Sequence, residues 1–190
     1  MAEQRDVIEV LEHDHREVEE MFSELESLRG ADTEDAKSRR KKLTETVTVE
    51  LVRHSVAEEV LVYPQVDDKI SKEEADHARE EHAEAEETLT RLEKLDADDP
   101  VFEAELSTLM EETRHHVEDE EGQMFAEMRR VIDEDELRKL GSRVEAFKKV
   151  APTRPHPNVP NEPLPRTAAG PAASLFDRMR DAATGFGSGD

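Results

Sequence analysis

Two segments of the chain repeat one pattern of histidine and carboxylate side chains. The first is HSVAEEVLVYP, from His54 to Pro64, and the second is HHVEDEEGQMFA, further along the chain. In each segment a glutamate follows a histidine by four positions, as in His54–Glu58 and His116–Glu120. Residues four apart share one face of a helix, and leucines and valines lie on that same face. A buried carboxylate needs a partner, because an unpaired one costs several kcal/mol or stays protonated. The fold must therefore bring a partner to these groups.

The composition favours a helical protein with no nucleic-acid or membrane partner. Charged residues make up 39% of the 190-residue chain and aromatic residues 4%, a mix typical of long amphipathic helices. The formal net charge of −23 disfavours binding to nucleic acid and to anionic membranes. The absence of cysteine excludes disulfides and thiolate ligands, and it fits a reducing cytoplasm. We expect no signal peptide, because the N-terminal segment MAEQRDVIEV has no apolar h-region. We also expect no transmembrane segment, because no stretch approaches about eighteen apolar residues.

The prolines divide the chain into two parts. Seven of the nine prolines lie between Pro152 and Pro171, and a glycine-rich end follows them. We therefore predict a folded domain at 1–150 and an extended or disordered tail at 151–190. The sequence does not identify a protein partner for the tail.

Helix start and stop signals within 1–150 predict an all-α domain. We expect helices at about 6–30, 36–63, 71–95, 99–130 and 133–149. Capping pairs such as Asp6 with Glu9 and Ser71 with Glu74 mark the starts, and Pro64 is expected to end the second helix. Short loops between long helices make neighbours antiparallel. The domain is therefore predicted to be an up-down-up-down four-helix bundle with an additional short fifth helix.

Helical periodicity selects the polar groups that face the core. Each of the first four helices carries one histidine on its apolar stripe, and the second and fourth also carry a carboxylate there. The inward groups are His15, His54, Glu58, His82, His116 and Glu120. A single histidine on such a stripe is more often a hydrogen-bonded core residue than a metal ligand. A whole set of buried ionisable groups, however, would unfold a domain whose net stability is about 5–15 kcal/mol, unless the groups share a multivalent cation.

The donor set indicates which cations fit. Imidazole and carboxylate ligands without thiolate suit iron, manganese or zinc. The inward groups are too many for one tetrahedral zinc ion. Two ions bridged by Glu58 and Glu120 fit the number of ligands better.

Four motifs together resemble the hemerythrin-like (HHE cation-binding) proteins of bacteria. The motifs LEHDHREVEEMF, HSVAEEVLVYP, EEHAEAEETL and HHVEDEEGQMF occur in this order, and the likeness spans roughly residues 5–130. It implies a four-helix bundle that holds a non-haem di-iron centre with oxo and carboxylate bridges. The resemblance implies two histidine pairs, one for each iron, and two bridging carboxylates: His15 with His54, His82 with His116, and Glu58 with Glu120.

The chain departs from the oxygen-carrying hemerythrins on the third helix. Those proteins have two histidines one turn apart there, whereas this chain has Ala78 one turn before His82, and His77 is out of phase. The missing imidazole would leave an iron with an open position, or with water or a carboxylate such as Glu86 in its place. We therefore expect peroxide chemistry, NO binding or sensing rather than reversible oxygen transport.

A second departure concerns the last helix. The oxygen carriers place an aspartate five residues after the histidine, whereas this chain offers Glu120 four residues and Glu121 five residues after His116. Glu120 is favoured, because the extra methylene of glutamate lets a side chain one residue nearer reach the same point as the aspartate. The alternative pair His115–Glu120 keeps the five-residue spacing, but His115 lies at the edge of the apolar stripe. Tyr63 is either a hydrogen-bond donor or ligand at the site, or an aromatic plug before the following proline.

These observations predict a di-iron protein that binds or turns over O₂, H₂O₂ or NO, with catalase-like activity as one form of that function. One alternative is ferritin-like iron handling, which needs Glu-x-x-His pairs that point inward. Such spacing occurs at Glu12–His15, Glu74–His77 and Glu112–His115. Glu74, His77 and Glu112 fall off the apolar stripes. The other alternative is a metal-free acidic bundle that interacts with another protein.

Overall fold

The structure is a computed structural model, and it describes residues 5–155. In this range the chain forms five helices, two of which are each interrupted by a π turn. The elements are α1 (Val7–Ser27), α2 (Glu34–Ala57), a first π turn (Glu58–Val62), α3 (Tyr63–Lys69), α4 (Lys72–Leu92), α5 (Phe102–Asp119), a second π turn (Glu120–Met124), α6 (Phe125–Val131) and α7 (Glu134–Lys148). The prediction of a helical bundle with an additional helix is confirmed.

Helices α1, α4 and α7 begin where the capping signals place them. The predicted start of the fourth helix at about residue 99 is wrong, because α5 begins at Phe102 and its N-cap residue, Val101, makes no side-chain capping bond. The Asp6 carboxylate accepts a hydrogen bond from the Glu9 amide, and the Glu9 carboxylate accepts one from the Asp6 amide, at 2.9 and 2.8 Å. The Ser71 hydroxyl accepts a bond from the Glu74 amide at the start of α4. Each such cap stabilises a helix by about 1 kcal/mol, because it satisfies amides that have no partner within the helix.

The predicted end of the second helix at Pro64 is wrong. The helical path continues through the first π turn into α3, which ends at Lys69. In the π turn the Tyr63 amide bonds to the Glu58 carbonyl, five residues earlier. Pro64 then lies in the first turn of α3, where its missing N–H is tolerated.

A buried polar layer separates two apolar cores along the bundle. The proximal core packs under α7 and includes Ile8, Leu11, Val62, Ala78, Met128, Leu140 and Phe147. The distal core lies towards the α1–α2 and α4–α5 loops and includes Val18, Phe22, Leu25, Val47, Leu89, Phe102 and Leu109. Along α1, His15 falls between Leu11 of the proximal core and Val18 of the distal core. Both faces of the polar layer are therefore closed by apolar side chains.

Gly141 on α7 lies directly against the start of α1. A Cβ atom at Gly141 would lie 2.7 Å from the Arg5 carbonyl oxygen and 2.9 Å from the Val7 nitrogen. Backbone atoms cannot rotate away, so we expect Gly141→Ala to lower the free energy of unfolding by about 1–3 kcal/mol, measured by urea denaturation. Gly122→Ala is the control, because a Cβ there meets nothing within 4 Å. Equal stability of the two variants would contradict this close packing of α7.

The predicted tail falls almost entirely outside the described residues. Only 151–155 of the range 151–190 are described, so the division of the chain into a domain and a tail stays a prediction. Within 5–155, none of the helices is long and apolar enough to cross a membrane.

Candidate metal centre

The structure brings the six predicted inward groups together in the polar layer. They are His15 from α1, His54 from α2, Glu58 from the first π turn, His82 from α4, His116 from α5 and Glu120 from the second π turn. Each is at most 7% exposed. Ionisable groups are buried to this degree when they are paired with one another or with a metal ion.

The four imidazoles form two close pairs. The Nε2 atoms of His15 and His54 are 3.2 Å apart, and those of His82 and His116 are 3.0 Å apart. The first pair joins α1 to α2, and the second joins α4 to α5. The two halves of the bundle thus present the same arrangement.

A carboxylate lies against the Nδ1 atom of every imidazole. The pairs are His15 with Glu121 at 2.8 Å, His54 with Asp14 at 3.2 Å, His82 with Glu59 at 3.2 Å, and His116 with Glu81 at 2.9 Å. An ionised carboxylate only accepts hydrogen bonds, so each Nδ1 carries the proton and donates it. In a neutral imidazole the Nε2 lone pair then points into the layer. Metal-binding histidines are held in this way, with one nitrogen facing the ion and the other donating to an outer acceptor.

These orienting carboxylates occupy corresponding positions in the two halves. Asp14 and Glu81 each precede an inward histidine by one residue, while Glu59 and Glu121 each follow an inward glutamate by one residue. None of the four was predicted in this role from the sequence, where the spacing makes Glu121 a candidate ligand. The repeated spacing was present in the sequence, but a chain with 49 acidic residues hides such pairs.

Glu58 and Glu120 lie between the two imidazole pairs. Each carboxylate reaches one imidazole of each pair: Glu58 Oε2 is 3.0 Å from His54 Nε2 and 3.4 Å from His82 Nε2, and Glu120 Oε2 is 3.5 Å from both His15 Nε2 and His116 Nε2. Both oxygens of Glu58 and the Oε2 atom of Glu120 have no well-formed hydrogen bond. Buried oxygens without such bonds are strongly unfavourable unless a cation satisfies them.

Neighbouring carboxylates favour the protonated form of two of the imidazoles, His54 and His82. Burial lowers the pKa of His54, but Glu58 and Asp14 outweigh this effect and raise it to about 10. Burial likewise lowers the pKa of His82, and Glu58 with Glu59 raises it to about 9. Burial raises the pKa of Glu58, yet the neighbouring imidazoles hold it well below its usual range. A cation that binds these two imidazoles displaces the protons on them.

The geometry of the layer fits a metal site. Two nitrogens bound about 2.1 Å from one ion lie about 3.0 Å apart when they meet at right angles, close to the spacing within both imidazole pairs. Two buried sets of ligand atoms converge, each within 4.8 Å: His15, His54, Glu58 and Glu120, and Glu58, His82 and His116. Glu58 belongs to both sets. The oxygens without hydrogen bonds and the converging nitrogens supply the ligands that a cation needs.

Tyr63 lies beside the second imidazole pair. Its hydroxyl donates a hydrogen bond to Glu120 Oε1 at 2.9 Å and is 3.1 Å from His82 Nε2. Burial and the charges of Glu120 and Glu58 raise the pKa of Tyr63 well above its usual value, so the phenol keeps its proton. The structure therefore places Tyr63 at the layer as a hydrogen-bond donor.

The π turns explain how an aromatic residue reaches each half of the layer. In an α-helix, residues five apart are about 140° apart around the axis. A π turn takes up one extra residue, so Tyr63 comes to the same face as Glu58, and Phe125 to the same face as Glu120. Phe125 stacks on the ring of His15 with a centroid distance of 6.0 Å and an interplanar angle of 7°. One half of the layer thus has a phenol and the other an apolar ring.

The other candidate ligands lie outside the layer. The side chains of His77 and His115 are 56% and 66% exposed. Glu74 and Glu112 bond to a glutamine and a threonine instead, and Glu86 is in none of the converging groups of ligand atoms found in residues 5–155. The described part of the chain therefore does not bring the Glu74–His77 and Glu112–His115 pairs of a ferritin-like site into the core.

Comparisons with known proteins agree with this geometry. The hemerythrin HHE cation binding domain family matches residues 6–128, more than half of the chain. An uncharacterized hemerythrin-like protein of Schizosaccharomyces pombe is 32% identical over 171 residues, which cover 88% of this chain and 81% of that protein. The crystal structure of a hemerythrin HHE cation binding domain-containing protein from Mycobacterium kansasii, an Rv2633c homolog, superposes with a TM-score of 0.64. That match has 23% identity and covers 76% of this chain and 88% of the other, so it shows a shared fold. The chain belongs to the hemerythrin HHE cation-binding family.

Proposed function

We propose that this protein holds a non-haem di-iron centre and uses it to bind or turn over a small oxidant: O₂, H₂O₂ or NO. The observation that carries the proposal is the duplicated imidazole pair with two carboxylates between the halves. The proposed ligands are His15 and His54 for one iron, His82 and His116 for the other, and Glu58 and Glu120 for both. Family membership supports binding of a cation at this layer.

The donor set favours iron. Imidazole and carboxylate donors without thiolate suit iron, and the two converging ligand sets offer more donors than one tetrahedral ion needs. When bound, the iron pair would supply redox and Lewis-acid chemistry to the oxidant. The chain fixes the imidazoles through the outer carboxylates, and the two apolar cores keep bulk water out of the layer.

Two residues favour peroxide chemistry or sensing over oxygen transport. Ala78, which stands where the oxygen carriers have a histidine, is buried in the proximal core one turn before His82. The ligand set on that side is therefore one imidazole smaller. The Tyr63 hydroxyl donates to Glu120 Oε1 and lies 3.1 Å from His82 Nε2, so it would supply a proton donor beside the residues that would hold the iron.

Replacement of Tyr63 tests this role of the phenol. Tyr63→Phe removes the proton donor without changing the ring, so we expect unchanged iron content and a peroxide-consumption rate lower by about a hundredfold. The rate is measured as the loss of H₂O₂ with time. Thr48→Val is the control, because the Thr48 hydroxyl is also buried but bonds to the Thr44 carbonyl within α2. A rate in Tyr63→Phe equal to that of the wild type would remove Tyr63 from the chemistry.

Peroxide disproportionation tests the catalase-like form of the proposal. Iron-loaded full-length protein should release O₂ from H₂O₂ faster than an equal concentration of free iron, and Glu58→Ala should not. If no O₂ is released above the free-iron control, the catalase-like form fails. Titration with NO and O₂, followed by visible absorption, then tests the binding form.

A further inference from the structure

A second group of histidines and carboxylates lies on the outer surface of α4 and α5. His77 and Glu81 are four residues apart on α4, and His115 and Asp119 are four residues apart on α5. His77 Nε2 is 3.7 Å from Glu81 Oε1 and 3.5 Å from Asp119 Oδ2. His115 Nδ1 is 2.8 Å from Glu81 Oε1 and 4.0 Å from Asp119 Oδ2. We call these four residues the surface cluster.

We propose that the surface cluster is a separate binding site for a divalent first-row transition-metal ion of the zinc type. Imidazole and carboxylate ligands form a borderline donor set that such ions prefer, and His115 lies beside the three converging residues, 2.8 Å from Glu81 Oε1. The ligand atoms of His77, Glu81 and Asp119 lie within 4.8 Å of one another. Ligands bound about 2.0–2.1 Å from a tetrahedral ion are about 3.3 Å apart. The spacings of 3.5 and 3.7 Å from His77 are close to this value.

The arrangement differs from an ordinary ion pair on the surface of a helix. His13 and Glu17 on α1 form such a pair, with one histidine and one carboxylate 3.5 Å apart. In the surface cluster two such pairs, on neighbouring helices, face each other. A metal ion can then be held from two helices at once, without the entropy loss of ordering a loop. The net charge of −23 raises the local concentration of cations at this surface.

The surface cluster also accounts for histidines that the core does not use. His77 precedes His82 by five residues, which turns it away from the buried layer, and its side chain is 56% exposed. His115 precedes the inward His116 by one residue and is 66% exposed. Both side chains are therefore accessible to a hydrated ion from solvent.

Glu81 connects the surface cluster to the buried layer. Its Oε1 atom faces His77 and His115, while its Oε2 atom accepts a hydrogen bond from His116 Nδ1 at 2.9 Å. An ion on Oε1 withdraws negative charge from the carboxylate and weakens its bond to His116. Occupancy of the surface cluster therefore changes how His116 is held. This link rests on the proposed function, whereas binding of an ion at the surface cluster does not.

Zinc binding by iron-loaded full-length protein tests the proposal. We compare the wild type with the double variant His77→Ala/His115→Ala and measure bound zinc and iron by elemental analysis, and zinc affinity by calorimetry. The double variant should lose the surface-bound Zn²⁺ of the wild type, with an affinity at least about a hundredfold lower. His13→Ala, which changes another exposed histidine, should bind zinc as the wild type does. Equal zinc content and affinity in the wild type and the double variant would overturn the proposal.

The iron measured in the same samples keeps the two proposals apart. Loss of iron from every sample would contradict the di-iron proposal. The difference in zinc content and affinity between the wild type and the double variant would still test the surface cluster. With iron present, Zn²⁺ should shift the visible spectrum of the wild type and leave that of the double variant unchanged. A wild-type spectrum that zinc does not alter would overturn the link through Glu81.

Discussion

Removal of the metal is expected to lower the thermal unfolding midpoint of the full-length protein by about 8–16 °C. The buried layer contains four imidazoles and two carboxylates, and three of the four carboxylate oxygens have no well-formed hydrogen bond that would satisfy them without a cation. Free metal at about a thousand times its dissociation constant stabilises the folded state by about 4 kcal/mol. Each kcal/mol shifts the midpoint by about 2–4 °C for a domain of this size. Circular dichroism with and without a chelator measures the shift.

Two variants test whether this shift of the unfolding midpoint comes from the buried layer. The midpoint of Glu58→Ala should not respond to the chelator, because that variant holds no metal in the layer. His77→Ala/His115→Ala should respond as the wild type does, because the surface cluster contributes little to folding. A wild-type midpoint that the chelator leaves unchanged would favour the metal-free acidic bundle.

The neighbouring glutamates Glu58 and Glu59 are expected to differ sharply in their effect on metal content. Glu58 is fully buried, and its Oε2 atom faces imidazoles of both pairs, so Glu58→Ala removes a shared ligand and should abolish stable iron binding in the buried layer. Glu59 only orients His82 through Nδ1. Glu59→Ala should keep the metal stoichiometry at saturation and weaken the affinity by about 10–100-fold.

Metal titration followed by elemental analysis measures both variants. The two substitutions remove the same side chain from adjacent positions of one π turn, so a general disturbance of the helix affects both. Equal metal content and affinity in the two variants would contradict the assignment of Glu58 as a shared ligand.

Local signals in the sequence predict much of the fold. Capping residues such as Asp6 and Ser71 stand at helix starts, because their side chains satisfy amides that any helix leaves without partners. The apolar stripes place His15 and His82 inward, because helical periodicity depends on local geometry alone. The end of the second helix was predicted wrongly, because the π turn before Pro64 depends on packing around the layer and has no local signal of its own.

The contacts around the imidazoles were harder to predict. Asp14 and Glu81 reach histidines on neighbouring helices, and such contacts depend on how the helices are rotated against each other. Periodicity gives the face of a helix, but it does not give the partner across the interface. The surface cluster illustrates the same limit, since periodicity shows only that His77 points away from the core.

Metal analysis of the purified full-length protein, combined with its ultraviolet–visible spectrum, tests the di-iron proposal most directly. We expect about two irons per chain, as the duplicated ligand sets require, together with the absorption of a bridged iron pair that is absent in Glu58→Ala. Protein that holds no metal in the buried layer after reconstitution with iron would contradict the account, and the layer would then be only a polar core.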